Sequence, residues 1–345
     1  MNDKKIKIKI GSRLVGPNEP CFIVAEAGAN HNHDLTIAKK MIEAAARAGA
    51  DAVKFQSIKY DELYSPKFPP SEKIQALYPN IELPEAWYGE LAQHAQKNKI
   101  IFLSCPTYLR AVDLLEKVGV LAYKIASPQT KANLPLVEYA ARKQKPIFLS
   151  TGYCVLPEIK KAVQVCFSSG NKKIILLHCV AKYPTNAHET NLGAIPFLAK
   201  EFGLLSGFSD HTLGFHLTLG AVAFGACLIE KHFTLSRKMK GPDHASALEP
   251  KELKQMIIAI RELEAGFGFG KRNNILPAEK EAAFLMDTRI LAKKDIKPGE
   301  KITISALHFK RLKKGILAND WQKVLQKKVK VAILKDEPLT FAKLK

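Results

Sequence analysis

Histidine, lysine and glutamate recur in this chain at the ends of short apolar runs. The run Ala226-Cys227-Leu228-Ile229 ends in Glu230-Lys231-His232, and "GFSDHTLG" (207–214) carries Asp210 and His211 in a comparable place. A buried strand does not normally finish in an acid, a cation and an imidazole, because ionised groups are costly to take from water. Other runs end at Glu26, at Lys54 and Gln56, at Ser104, at Lys124 and Ser127, at Ser150, at His178 and at Ser209. One such ending has a bland explanation, a lysine paired with a neighbouring glutamate. Repetition over nearly every run indicates a functional pocket.

Residue type suggests the chemistry. His211 and His232 lie on consecutive runs, and two converging imidazoles suit a borderline divalent cation such as Mn, Fe, Co or Zn. Lys54 and Lys124, with Ser127, Ser150 and Ser209, make a cationic, hydroxyl-rich wall suited to phosphate and carboxylate. Glu26 and Glu230 are suited to bind sugar hydroxyls or a metal-bound water. Asp243, in "GPDH", is suited to accept a proton from further out.

These groups need a scaffold that gathers strand ends. The apolar runs are "CFIVAEAG" (21–28), "AVKFQS" (52–57), "IIFLSCP" (100–106), "AYKIAS" (122–127), "PIFLSTG" (146–152), "KIILLHCV" (173–180), "LLSGFSDHT" (204–212) and "CLIEKHF" (227–233). Each is followed by an amphipathic helical pattern. After the first, Asp34 is placed as an N-cap and Gly49 as a stop. Near-continuous apolar strands joined by helices predict a parallel sheet. Eight such units over roughly 250 residues predict a closed (β/α)8 TIM barrel, with its site at the C-terminal strand ends. An open doubly wound sheet often carries G-x-G-x-x-G after its first strand; "AEAGANHNH" does not match. The expected organisation is an N-terminal hairpin over 1–20, the barrel over 21–270, a linker over 271–284 and a small β-rich module over 285–345. In that module "TRILAKKDI" (288–296), "KITISALHF" (301–309) and "KVAIL" (330–334) read as strands.

Composition bounds the function class. The 345 residues are 47% hydrophobic and 25% charged, a globular balance. No apolar run is long enough to span a bilayer, and the charged start "MNDKKIKIKIGS" does not read as a signal peptide. The six cysteines form no C-x-x-C pair, as expected of reduced thiols in a cytoplasmic protein. Net charge is +20, and 15 Lys/Arg against 5 Asp/Glu fall from Lys293 onward. This excess fits a solubilising surface or an anionic partner. Aromatic residues do not interleave regularly with the tail lysines and no DNA-binding motif accompanies them, so nucleic acid is not the expected partner.

The motifs "AEAGANHN" (25–32), "AGADAVKFQ" (48–56), "YKIAS" (123–127), "LSTG" (149–152), "LLHCVAKYPT" (176–185), "FSDHTLG" (208–214), "IEKHFT" (229–234) and "GPDHASALEP" (241–250) resemble, in order, those of the sialic acid synthase family. "KDIKPGE" (294–300) and Lys310-Arg311 resemble its small antifreeze-like (SAF) domain. The resemblance implies condensation of phosphoenolpyruvate with an N-acetylated hexose, such as N-acetylmannosamine or a diacetamido relative. The products would be a nonulosonic acid and phosphate, released with C–O cleavage. It implies a divalent metal, Mn2+ first with Mg2+ or Co2+ as alternatives, on His211 and His232. Phosphoenolpyruvate would lie against Lys54, Lys124, Ser127, Ser150 and Ser209, near Tyr183. Glu26, Gln56, Glu230 and Asp243 would orient the sugar and the attacking water. In a domain-swapped homodimer, Arg311 would reach the N-acetyl group. Other phosphoenolpyruvate-condensing barrels, or a catalytically weak sugar-binding homologue, are the alternatives. The chain departs from the family pattern at several points. Cys105 stands where Thr is usual, Ala181 where a polar residue is, His33 where Gly is, Gln129 where Glu is and Leu312 where Pro is. These departures imply altered sugar specificity or weaker activity.

Overall fold

A computed structural model describes residues 6–268, 270 and 273–345. The chain divides into two compact units, Met1–Gly268 and Phe269–Lys345.

The first unit begins with the expected hairpin. β1 (Ile8–Ile10) and β2 (Arg13–Val15) pair antiparallel, and Gly11 takes φ +59° in the turn between them. Residues 1–5 of the expected hairpin segment lie outside the described residues. Eight parallel strands follow: β3 (Phe22–Gly28), β4 (Ala52–Ser57), β5 (Ile101–Pro106), β6 (Tyr123–Ile125), β7 (Ile147–Ser150), β8 (Ile174–Cys179), β9 (Leu205–Asp210) and β10 (Leu228–His232). Their order is β5-β4-β3-β10-β9-β8-β7-β6. β5 and β6, the two edges of this sheet, pack side by side without a ladder between them, so the barrel is nearly closed. The covering helices are α1 (Leu35–Ala48), α2 (Trp87–Lys97), α3 (Leu109–Lys117), α4 (Leu134–Arg142), α5 (Leu156–Ser168), α6 (Ala194–Phe202), α7 (His216–Ala223) and α8 (Pro250–Gly266).

Helix α1 shows how local sequence sets these elements. The Asp34 carboxylate accepts from the Thr36 and Ile37 amides, and Gly49 ends the helix at φ +91°. Its buried positions Ala38, Met41, Ile42 and Ala45 recur at helical spacing and face the barrel.

Strand alternation divides the core into two layers. Outward residues such as Ile23, Val53, Phe55, Tyr123, Leu149, Leu176, Phe208 and Ile229 pack with the helices. Inward residues Phe22, Val24, Leu103, Phe148, Ile175, Leu177 and Leu228 form a second cluster, joined by Ile8, Ile10 and Val15 of the hairpin. The hairpin therefore closes the N-terminal end of the barrel, and the apolar layers stop before the C-terminal end. Gly207 belongs to this interior. A Cβ there would lie 2.5 Å from the Leu228 carbonyl oxygen and 2.8 Å from Leu177 Cδ2.

The loop after β3 is tightly built. Asn32 and His33 take φ +49° and +54°, so His33 occupies the left-handed conformation that glycine adopts most easily. His31 Nδ1 accepts from the His33 amide at 3.0 Å, its ring packs on Phe55 and Trp87, and its buried Nε2 has no partner.

The second unit has its own core, including Ile290, Ile302, Ile333, Leu339 and Leu344. β11 (Thr288–Ala292) pairs antiparallel with β12 (Leu307–Arg311). Three expectations need correction. The strand expected over 288–296 ends at Ala292. The strand expected over 301–309 begins only at Leu307, because 304–306 form a 3-10 turn. The segment 330–334 makes a single bridge, Ile296 to Ile333, rather than a strand. Ile333 is its buried anchor while Val331 and Leu334 are exposed, so no apolar face holds a longer ladder. Within the expected linker, Pro277–Glu279 forms a 3-10 turn and Lys280–Met286 a helix. Lys271 and Arg272 lie outside the described residues. Among the described residues, no helix is long and apolar enough to cross a membrane.

Two outcomes are expected. Gly207→Ala should destabilise the barrel by about 1–3 kcal/mol through overpacking, read as a lower Tm; an unchanged Tm would show free interior space. The second concerns His31. Burial, reinforced by nearby His33, pushes its pKa down to about 4 from an ordinary 6.5. The unfolded chain therefore binds more protons, so His31's contribution is whole above about pH 6.5 and declines as pH falls toward 4. His31→Phe should flatten the stability–pH slope over that interval, by at most about 1.4 kcal/mol per pH unit. Parallel slopes for the two proteins in denaturant titrations would show that His31 is not buried neutral.

Candidate active site

Where the inward apolar layers stop, the inward positions turn polar. Parallel register sets Glu26 beside Lys54 on β4 and beside His232 on β10, and sets Glu230 beside Ser209. Glu26, Lys54, Lys124 and Glu230 are each at most 4% exposed. Lys54 Nζ lies 2.7 Å from Glu26 Oε2 and 3.7 Å from Glu230 Oε2. Lys124 Nζ donates to Glu230 Oε1 at 2.6 Å, and Ser209 Oγ donates to the same oxygen at 2.9 Å. Gln56 Nε2 donates to Glu26 Oε1 at 2.8 Å. Two ammonium groups and two carboxylates thus cancel in a space closed to bulk water. Burial pushes the Glu230 carboxyl up, but Lys124 and then Lys54 outweigh it and hold it well below the usual carboxylate range. Burial likewise pushes Lys54 down, and Glu230 and then Glu26 reverse the effect, keeping its ammonium protonated far into alkali.

The two histidines converge beside this cluster, with ring centroids 5.6 Å apart. His211 Nδ1 donates to the Val180 carbonyl at 2.7 Å, which leaves the Nε2 lone pair available. Burial first, then His232, pushes its pKa down to about 3, so the imidazole is neutral, as a ligand must be. His232 Nδ1 is buried without a hydrogen-bond partner and lies 3.7 Å from Asp243 Oδ2. Among the described residues, no group of three His, Cys, Asp or Glu converges in a metal-holding arrangement. The nitrogen donors facing one another here are the two imidazoles, His211 with a free Nε2 lone pair and His232 with an unpartnered Nδ1.

A cavity of about 560 Å³ opens above these groups and is lined by Glu26, Lys54, Lys124, Glu230 and both histidines. Ser127, Ser150, Ser209, Gln56 and Tyr183 also line it. The Gly152 amide donates to Ser127 Oγ at 2.9 Å, and Ser127 Oγ lies 3.3 Å from Cys179 Sγ. The Tyr183 ring packs 4.1 Å from the His211 ring, centroid to centroid. Asp243 sits behind His232, with its Oδ2 near Gly28. Arg311 stands exposed on β12 of the second unit. Another cavity of this unit, about 700 Å³, is lined by residues such as Pro17, Cys21 and Cys227 at the opposite strand ends, far from the charged cluster.

Four strand-end residues that the sequence marks as chemical groups face the other way. Lys231 Nζ pairs with Asp210 Oδ2 at 2.9 Å and donates to the Thr212 carbonyl, while Thr218 on α7 donates to the same carboxylate at 2.6 Å. This outward pair ties β9 and β10 to α7. His178 Nε2 bonds the Thr190 carbonyl and its ring stacks on Phe208. Ser104 Oγ bonds Ser57 Oγ at 2.8 Å. Counting by twos from the inward Leu103, Leu177, Leu205 and Leu228 would have sorted them. Residues missed as lining include Cys179, which has inward parity, and Gln129, whose buried Oε1 has no partner. Tyr64 and Tyr78 line the cavity too, and their irregular segment offered no periodicity to read. Cys105 and Ala181, the departures noted above, both line it.

Residues 41–272 match the model of the NeuB family and residues 290–345 that of the SAF domain. The chain belongs to the NeuB family. It is 42% identical over 318 residues to N,N'-diacetyllegionaminic acid synthase of Campylobacter jejuni, covering 89% of this chain and 95% of that one. Pseudaminic acid synthase of Helicobacter pylori is 34% identical over 333 residues, 93% of this chain and 97% of that one. The crystal structure of N-acetylneuraminic acid (sialic acid) synthetase from Leptospira borgpetersenii is 35% identical. It matches with a TM-score of 0.74 over 81% of this chain and 95% of that one.

In this NeuB-family barrel, Glu230→Gln should cost about 3–5 kcal/mol, because it strands buried ammonium groups. Adding Lys124→Met should recover part of the loss. Denaturant unfolding of both variants checks this, and a single-variant cost below about 1 kcal/mol would show that water reaches the cluster.

Proposed function

We propose that this protein condenses phosphoenolpyruvate with an N-acetylated hexose, giving a nonulosonic acid and phosphate. The observation that carries the reading is the buried Lys54–Glu26–Glu230–Lys124 cluster beside the His211–His232 pair. The names of the three relatives reported above, two synthases and a synthetase of such acids, support it.

Each part has a task that its chemistry suits. Lys54, kept charged by Glu230 and Glu26, and Lys124 take the carboxylate and phosphate of phosphoenolpyruvate. An ammonium has three N–H donors, so Lys124 keeps donors for the substrate while bound to Glu230. The hydroxyls of Ser127, Ser150 and Ser209 complete the wall. His211 and His232 would hold a divalent cation, Mn2+ first among those named above, and it would supply Lewis acidity toward the open-chain aldehyde. Glu26, with Gln56, orients the sugar hydroxyls. The C2=C3 electron pair of phosphoenolpyruvate bonds C3 to the aldehyde carbon, and the carbonyl π pair passes to its oxygen, which takes a proton from solvent. Water then adds at C2, and the bond from C2 to the phosphate oxygen breaks. Glu230, ionised, accepts a hydrogen bond from that water, and Asp243 takes up its proton. A domain-swapped homodimer, with Arg311 reaching the N-acetyl group, belongs to the same proposal.

Phosphate release tests the reading. It should require phosphoenolpyruvate, a divalent cation and an N-acetylated hexose together, and His211→Ala should reduce it by about a hundredfold or more. Release without any sugar, or full activity in the variant, would count against the synthase assignment.

A further inference from the structure

We propose that Tyr153, on the loop after β7, is a further substrate-positioning residue: its phenol donates a hydrogen bond to the phosphate of phosphoenolpyruvate at the rim of the cavity. This rests on the function proposed above.

Tyr153 stands where its own backbone disfavours it. Thr151, Gly152, Tyr153 and Cys154 form a turn, closed by the Cys154 amide donating to the Thr151 carbonyl at 3.2 Å. The turn is pinned to its neighbours. Thr151 donates to the Leu177 carbonyl through its amide at 3.0 Å and its hydroxyl at 3.1 Å. The Gly152 amide donates to Ser127 Oγ, and a Cβ at Gly152 would lie 2.7 Å from both Ser127 Oγ and Cys179 Sγ. Tyr153 fills the third position of the turn with φ +40°, a place suited to glycine or asparagine. A bulky side chain there is strained. Lys131 helps to hold it, donating to its carbonyl at 3.1 Å with Nζ 5.8 Å from the ring centroid.

The ring does not offset that strain by packing in the core. It is 52% exposed, yet it lines the cavity beside Ser127 and Ser150. A tyrosine held at a strained rim position indicates a task toward a ligand. Its place in the barrel indicates which ligand. β6 and β7 are paired neighbours, and Ser127 and Ser150 stand at their ends as hydroxyls of the wall proposed for phosphoenolpyruvate. His211 and His232 stand at the ends of β9 and β10, beyond β8. Tyr153 therefore borders the phosphate side of the cavity. Among the described residues, its O–H has no hydrogen-bond partner. Burial first, then Cys154 and Cys179, pushes the phenol above its ordinary range, so it keeps its proton and remains a donor. A phosphate oxygen is a strong acceptor for such a group.

Calorimetric titration with phosphoenolpyruvate and with inorganic phosphate, in the presence of a divalent cation, tests the contact. Tyr153→Phe should weaken both ligands by about tenfold, the scale of one hydrogen bond to a charged group. Tyr153→Gly should weaken them at least as much, with a Tm no lower than wild type, because glycine adopts the turn freely. In turnover, the KM for phosphoenolpyruvate should rise while the KM for the sugar moves less than about twofold. An affinity within about twofold of wild type in Tyr153→Phe overturns the contact. A lower Tm in Tyr153→Gly overturns it too, since the ring would then serve the fold. Binding that weakens in Tyr153→Phe, with no N-acetylated hexose turned over by wild type, upholds the contact and sinks only the synthase reading. Turnover by wild type with an unchanged KM for phosphoenolpyruvate in Tyr153→Phe does the reverse. If wild type binds neither ligand, the contact is overturned.

Discussion

Four charged side chains at the C-terminal end of the barrel have almost no access to water, and much of the surrounding architecture serves to keep them neutral as a group. An isolated ammonium or carboxylate in that position would shift its pKa and discharge. Lys54 stays charged because Glu230 and Glu26 face it from inward positions, and Lys124 pairs with Glu230 from across the barrel. The arrangement is weak evidence of stability, since a well-packed apolar interior would serve the fold as well or better. Under the proposed function its value lies elsewhere: cations already desolvated and oriented would bind an anionic substrate without reorganising when it arrives.

That constraint explains the division of the barrel along its axis. The hairpin and the apolar inward layers fill the N-terminal end and deny water a path from below. The polar layer is confined to the C-terminal end, where loops of any length can close over it. The Lys231–Asp210 pair shows the complementary use of buried charge. With every partner satisfied by Thr212 and Thr218, it fastens strand to helix and leaves the cavity to Glu230 and His232.

Much of this was legible in the linear chain. The alternation of apolar runs with amphipathic helices announced the barrel, and Asp34 and Gly49 marked a helix whose caps form as expected. The polar strand endings marked the site, because a group like Lys54 is rarely buried without a purpose. Three features were less visible. His178, Lys231, Asp210 and Ser104 carry the right chemistry on the wrong face. Tyr64 and Tyr78 lie in an irregular segment whose path depends on contacts between distant residues, such as Tyr60 with Glu82. The bridge at Ile333 replaces an expected strand because its neighbours have no face to bury.

Sequence by itself determined the element order, the barrel class and the residue types available for chemistry, since periodicity and side-chain type are local properties. Only tertiary structure decided which of those residues meet. Inward or outward orientation depends on parity within each strand, and contact across the barrel depends on register between strands. Lys124 finds Glu230 across 106 positions of chain because the nearly closed ring brings their strand ends together. His232 stands beside Glu26 because the last strand of the ring pairs with the first. Those proximities arise from closure, a property of the whole sheet that no single segment carries.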